Sequence, residues 1–194
     1  MKRIVLTFGL ISGAIISVLM AATVPFMHKI GFSGGMVIGY TTMVLSFLLV
    51  FFGMRSYREN VGDGYISFGR ALSVGLLIML ITCAFYVITW EVIYFNFMPD
   101  FAEKYGAFMV ENMRAAGASA QEIAAKTEEM KRFKELYDNI FFNVAMTLLE
   151  PLPVGLIMTF ISALIVRKRR QDLQDKQDGV KTNLVHQENP VNPV

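Results

Sequence analysis

The chain has 194 residues, of which 54% are hydrophobic and 18% charged, with a mean hydropathy of +0.47 and a formal net charge of +2. A soluble domain of this length carries more charge. The near-neutral balance gives no footing for nucleic-acid binding, and the lone Cys83 excludes a disulfide framework and a thiol metal site.

The charges are nearly absent from four long windows and crowd into the gaps between them. A bilayer core takes roughly 20 apolar residues per helix. The predicted spans are about 4–27, 36–54, 71–97 and 141–166. The expected fold is therefore all-α: a four-transmembrane-helix bundle with an extracytoplasmic helical hairpin between helices 3 and 4. Residues 1–170 form one membrane domain, and residues 171–194 form a disordered cytoplasmic tail.

The first window follows Lys2 and Arg3 and is too long for a signal-peptide core, so it reads as a retained helix. Gly9, Gly13, Ser17 and Ala21 stand at four-residue spacing along it. That spacing lays small residues on one stripe, where a second helix can approach closely. Gly31-Phe32-Ser33-Gly34-Gly35 reads as the turn into the second window, which ends at Arg55. Gly62-Asp63-Gly64 is a turn signal in the basic, aromatic loop before Arg70.

The segment 99–140 is the extended polar region. Phe101, Tyr105 and Phe108 make one apolar stripe, expected to pack on Met130, Phe133 and Tyr137 of the following helix. Gly117 stops the first arm, and Ser119-Ala120-Gln121-Glu122 is a capping box that starts the second. The apolar stripe of this arm continues without a break signal. One long helix is expected to rise from there into the fourth window, bending only at Pro151 and Pro153.

Lys and Arg counts set the orientation. With four crossings, the N-terminus, the loop around 55–70 and the tail share a side that holds eleven basic residues, against seven on the other. The basic side is the cytoplasm, so both termini are expected to be cytoplasmic.

Several local runs are familiar together: Phe52-Gly53-Met54-Arg55-Ser56-Tyr57-Arg58, Ile66-Ser67-Phe68-Gly69-Arg70-Ala71, Trp90-Glu91, and Gly117-Ala118-Ser119. The most specific is Leu149-Glu150-Pro151-Leu152-Pro153-Val154-Gly155, followed by Ser162-Ala163-Leu164-Ile165. In this order they resemble the bacterial membrane proteins of domain-of-unknown-function family 4199, over about residues 4–170. The resemblance implies a four-helix protein of the bacterial inner membrane. It implies no activity.

Glu150 stands 17 residues above Arg167, about 25 Å at a 1.5 Å rise, inside the outer part of a hydrocarbon core about 30 Å thick. A carboxylate there is expensive unless it is protonated, paired or wetted. No Lys or Arg lies in any apolar window, so Glu150 is expected to face the bundle interior. Pro151 and Pro153 withhold donors from the carbonyls of Thr147 and Leu149. Glu150, Thr147 and Leu149 are thus a candidate proton or cation site; the plainer reading is a kinked helix with a neutral acid bonded to a neighbour.

Glu91 falls at the outer boundary beside Trp90, with Tyr86 and Tyr94 on the same face, and reads as part of an interfacial aromatic belt that could bring it opposite Glu150. Arg55, Arg58 and Arg70 are candidate lipid-phosphate contacts, or simply topology signals. No metal spacing, phosphate loop or nucleophile–base pair is present in the sequence. The expectation is a non-enzymatic structural or assembly component without a cofactor. The alternative is a small transporter or ion-conducting oligomer using Glu150 and Glu91. The expected partners are the lipid bilayer, further copies of the chain or other membrane proteins, and no nucleic acid.

Overall fold

The computed structural model describes residues 1–168, and the expected tail 171–194 lies outside them. Among the described residues the regular structure is all helical: α1 (Lys2–Thr23), α2 (Met27–Asn60), α3 (Phe68–Phe97), α4 (Phe101–Ala115), α5 (Ala120–Tyr137), α6 (Ile140–Leu149) and α7 (Pro151–Val166). Three stretches are long and apolar enough to cross a membrane, namely Lys2–Asn60, Phe68–Phe97 and Ile140–Val166.

The first of those stretches folds back on itself. A 3₁₀ turn at Val24–Phe26, which contains Pro25, interrupts the helical run, and the reversal itself falls at Gly31, in the expected glycine turn at 31–35. Helix resumes at Met27, and only Gly31 leaves it, at φ 69°. A positive φ costs glycine little, so the chain bends there without strain.

Register shows how the helices run. Gly9 lies against Ile81 and Gly13 against Phe85, while Thr89 Oγ1 donates to Ser17 Oγ at 2.7 Å. The offset stays at 72 residues, so α1 and α3 are parallel neighbours. The small-residue stripe predicted on the first helix makes this seam through Ser17; Ala21 is exposed beyond it. In the same way Phe47 meets Gly155 and Arg58 reaches the Val166 carbonyl, a constant offset of 108 that makes α2 and α7 parallel. Ser12 Oγ donates to the Ser46 carbonyl at 2.7 Å, and Gly53 sits on Phe8. Rising numbers on α1 thus meet falling numbers on α2, and the pair is antiparallel. The result is an up-down-up-down bundle around a core that includes Ile16, Met43, Phe47, Val50, Ile78 and Val166.

The near end is tied by backbone. Gly62-Asp63-Gly64 turns with Asp63 at φ 49° and Gly64 at φ 84°. Ser67 then caps α3, its Oγ accepting from the Arg70 N–H at 3.3 Å. Ile66 and Lys168 exchange both backbone bonds at 3.0 Å, which fastens this loop to the end of α7.

At the far end, α4 and α5 form the polar hairpin. Gly117 (φ 80°) closes α4, and the Ser119–Glu122 capping box opens α5. The arms meet through Ala102 and Gly106, with Met130 a methyl's distance from Gly106. That is not the expected stripe of α4, which turns mainly toward the start of α2. Phe101, Tyr105 and Phe108 pack on Phe32 with ring centroids 5.5, 5.7 and 5.2 Å away, so the hairpin seats on the α1–α2 turn.

The expected single helix from the hairpin into the fourth window does not form. It stops at Tyr137, and Asn139 takes extended backbone (ψ 119°). Its side-chain oxygen accepts from the N–H groups of Phe141 and Phe142 at 3.0 and 3.4 Å. Asparagine is among the strongest N-cap residues, and here it starts α6 afresh. A second division falls at Glu150, before Pro151, although Glu150 itself keeps helical angles.

Candidate functional site

Tyr86, Trp90 and Tyr94 recur every fourth residue on α3 and so share one face. That face looks inward. Tyr86 Oη donates to Glu150 Oε2 at 2.6 Å, Trp90 Nε1 donates to Tyr137 Oη at 2.9 Å, and Tyr94 Oη donates to Asp138 Oδ1 at 2.7 Å. The three therefore form an internal ladder joining α3 to the end of α5 and to Glu150, not the interfacial belt expected. Tyr94 is 1% exposed. At the ladder's outer end, the Tyr94 hydroxyl and then the Lys134 ammonium hold Asp138 below the usual carboxylate range.

The partner face on α6 is a polar stripe. Asn143 Nδ2 donates to the Tyr137 carbonyl at 3.1 Å, and Thr147 Oγ1 donates to Asn143 Oδ1 at 3.0 Å. Asn143, Thr147 and Glu150 follow at steps of four and three, one helical face. Asn143 and Thr147 are buried.

Between these faces lies a cavity of about 200 Å³. Its walls include Phe32, Tyr86, Trp90, Phe101, Tyr105 and Tyr137, with Met20, Met27 and Met36 beside them. Thr147 and Glu150 supply polar groups, and Glu150 is the charged member of the lining. α2 packs along α7 but hardly touches α6. On that side the cavity is lined by Gly35 and Gly39, beside the division between α6 and α7. Glu150 stands on this side of the cavity. It is exposed by area, not enclosed in the bundle as expected, while its carboxylate lines the cavity and accepts from Tyr86.

The other predicted residues separate from this site. Glu91 does not line the cavity. Both its carboxylate oxygens are sealed from solvent and have no hydrogen-bond partner. The Leu149 side chain is 60% exposed and contributes nothing to the cavity wall. Arg58 donates to the Val166 carbonyl at 3.1 Å and to Glu59 at 3.3 Å, so its guanidinium is engaged within the protein. Arg55 pairs with Glu59 at 2.8 Å, and Arg70 is exposed at the start of α3.

Fold and site together define a bundle of apolar helices, long enough to cross a membrane, enclosing an aromatic cavity with one carboxylate. The chain belongs to the family described as "Protein of unknown function (DUF4199)", whose model matches residues 7–168. No curated protein and no solved structure matches it.

Proposed function

We propose that the chain is a multi-pass protein of the bacterial inner membrane that crosses it four times, with both termini cytoplasmic. Support comes from the reversal at Gly31, which divides the long apolar stretch Lys2–Asn60 into two antiparallel arms. α1, with 22 residues, measures about 33 Å, and α3, with 30 residues, about 45 Å; both exceed a hydrocarbon core of about 30 Å. The apolar side chains left exposed, such as Val18, Val37, Ile88, Ile157 and Ile165, suit contact with lipid tails. The hairpin α4–α5 then lies outside the cytoplasm. A cysteine placed at Lys29 or Glu111 should react with an impermeant thiol reagent on intact cells, and one at Lys176 should not. The reverse pattern would overturn the orientation.

Within that frame we read the protein as a small cation- or proton-handling transporter centred on Glu150, without enzymatic chemistry. The observation that carries this is Glu150 at the open edge of an aromatic cavity, with no basic side chain in the lining. An intramembrane carboxylate is costly and marks ion or proton pathways. The Tyr86–Glu150 bond favours a second reading, a structural or assembly component in which the bond only fastens α3 to the kink. Proteoliposomes separate the two. With internal pyranine for protons under a valinomycin-set potential, and separately a thallium-quenched dye for monovalent cations without valinomycin, the wild type should admit one of them above the empty-vesicle rate. Glu150→Gln should fall to background and Glu150→Asp should keep part of the rate. Wild-type vesicles no leakier than empty ones, or a fully active Glu150→Gln, would leave the structural reading.

A further inference from the structure

We infer that the Glu150 cavity binds a lipophilic organic monocation, a quaternary ammonium carrying an apolar body, entering sideways between α2 and α6. This rests on the reading of Glu150 as a cation site and names its ligand class.

The first argument is the chemistry of the walls. Six aromatic residues contribute to them: Phe32, Tyr86, Trp90, Phe101, Tyr105 and Tyr137. Ring faces attract cations that have lost their water, Trp most strongly, and aromatic cages are a recurrent way of holding quaternary ammonium groups. Met20, Met27 and Met36 add soft, adaptable apolar surface. A small hydrated metal ion asks for several oxygen ligands instead. The lining offers one carboxylate and, among the described residues, no group of three His, Cys, Asp or Glu placed to hold a metal.

The second argument is charge. Glu150 is the charged residue of the lining, and no Lys or Arg there offsets it. Tyr86 is its recorded hydrogen-bond partner, at one oxygen. A ligand cation would supply the missing counter-charge where water is scarce and attraction is strong.

The third argument is access and size. α2 hardly touches α6, and Glu150 is exposed along that side. In the orientation proposed above this opening faces the bilayer, so the ligand must be soluble in it. A protein cavity of about 150 Å³ takes benzene; one of about 200 Å³ suits a substituted ring.

The chain's single tryptophan, Trp90, lines this cavity and reports on it directly. The full-length protein in phosphatidylcholine vesicles should show a saturable change in Trp90 emission with benzyltrimethylammonium. Neopentylbenzene, its uncharged isostere, should bind at least about tenfold more weakly, equivalent to about 1.4 kcal/mol. Glu150→Gln should lose the cation preference and keep the response to neopentylbenzene, which also certifies that the variant is folded. Glu111→Gln removes an exposed carboxylate that does not line the cavity and should keep the preference. No saturable response in the wild type overturns the inference. So does equal binding of the two compounds, which would mark an apolar lipid-tail pocket, and so does an unchanged preference in Glu150→Gln. Ion entry without benzyltrimethylammonium binding would overturn this inference alone. Binding without ion entry would overturn the transport reading and leave the site standing.

Discussion

Gly13→Leu should separate α1 from α3 and lower the thermal midpoint of the bundle more than any other single change on the α1 stripe. A methyl group at Gly13 would stand 2.5 Å from Phe85 Cγ and 2.9 Å from Phe85 Cβ. These atoms lie at the base of the ring, close to the α3 backbone, so they cannot swing aside as the end of a flexible chain would. One turn away, Gly9 is nearly as crowded, with Ile81 Cβ at 2.9 Å. The seam therefore has no slack, and a leucine must push the helices apart. Separation would also stretch the Thr89–Ser17 bond, 2.7 Å in length. Overpacking costs roughly 1–3 kcal/mol, and a lost hydrogen bond adds about 0.5–1.5 kcal/mol. In a bilayer the loss is not recovered by apolar contact, because lipid tails are as apolar as the side chains and close packing is what holds helices together. Gly69→Leu is the control: Gly69 is exposed and a Cβ there meets nothing within 4 Å. Circular dichroism melts in detergent would decide it. Equal midpoints for Gly13→Leu and the wild type would show that the seam is not tight.

The small residues of α1 were legible because their spacing alone names a helix face. The capping box at Ser119 was legible for a similar reason, since its partners are three residues apart and local. What misled was reading each polar residue by its own depth. Tyr86, Trp90 and Tyr94 resemble an interfacial belt when α3 is considered alone. Their inward role depends on hydrogen-bond acceptors 44 to 64 residues away, beyond any local pattern. One signal was available: Asn143, Thr147 and Glu150 share a face within an apolar window, and polar residues on one face of such a helix turn toward protein or water. Asn139, just before that stripe, also carried the stop for α5 that apolar periodicity concealed. Depth puts Glu91 on the same side as Glu150 but says nothing of azimuth. One residue along a helix is a turn of about 100°, enough to carry Glu91 off the Trp90 face and away from the cavity.

Replacing both prolines, Pro151→Ala with Pro153→Ala, should make the protein more stable and abolish cation binding at the same time. Each alanine returns a donor to the helix, to the Thr147 and Leu149 carbonyls respectively, at about 0.5–1.5 kcal/mol per bond. Glu150 already has helical angles, φ −74° and ψ −55°, so it need not leave the helical region for the repair. The midpoint should rise by several degrees, at about 2–4 °C per kcal/mol for a chain of this size. The same repair straightens the path from α6 into α7. α2 runs parallel to α7 at a fixed offset, so a straightened α6 continues along α2 and closes the gap beside Gly35 and Gly39. Glu150 remains in the chain, but its cavity no longer has a mouth. The Trp90 response to benzyltrimethylammonium should therefore vanish although the carboxylate is untouched. A variant that melts lower and binds nothing would show that the prolines serve folding, and would refute this account of the gap. One that melts higher and still binds would show that the opening does not depend on the kink. Stability gained as binding is lost is the pairing that ties the Glu150 site to the two prolines beside it.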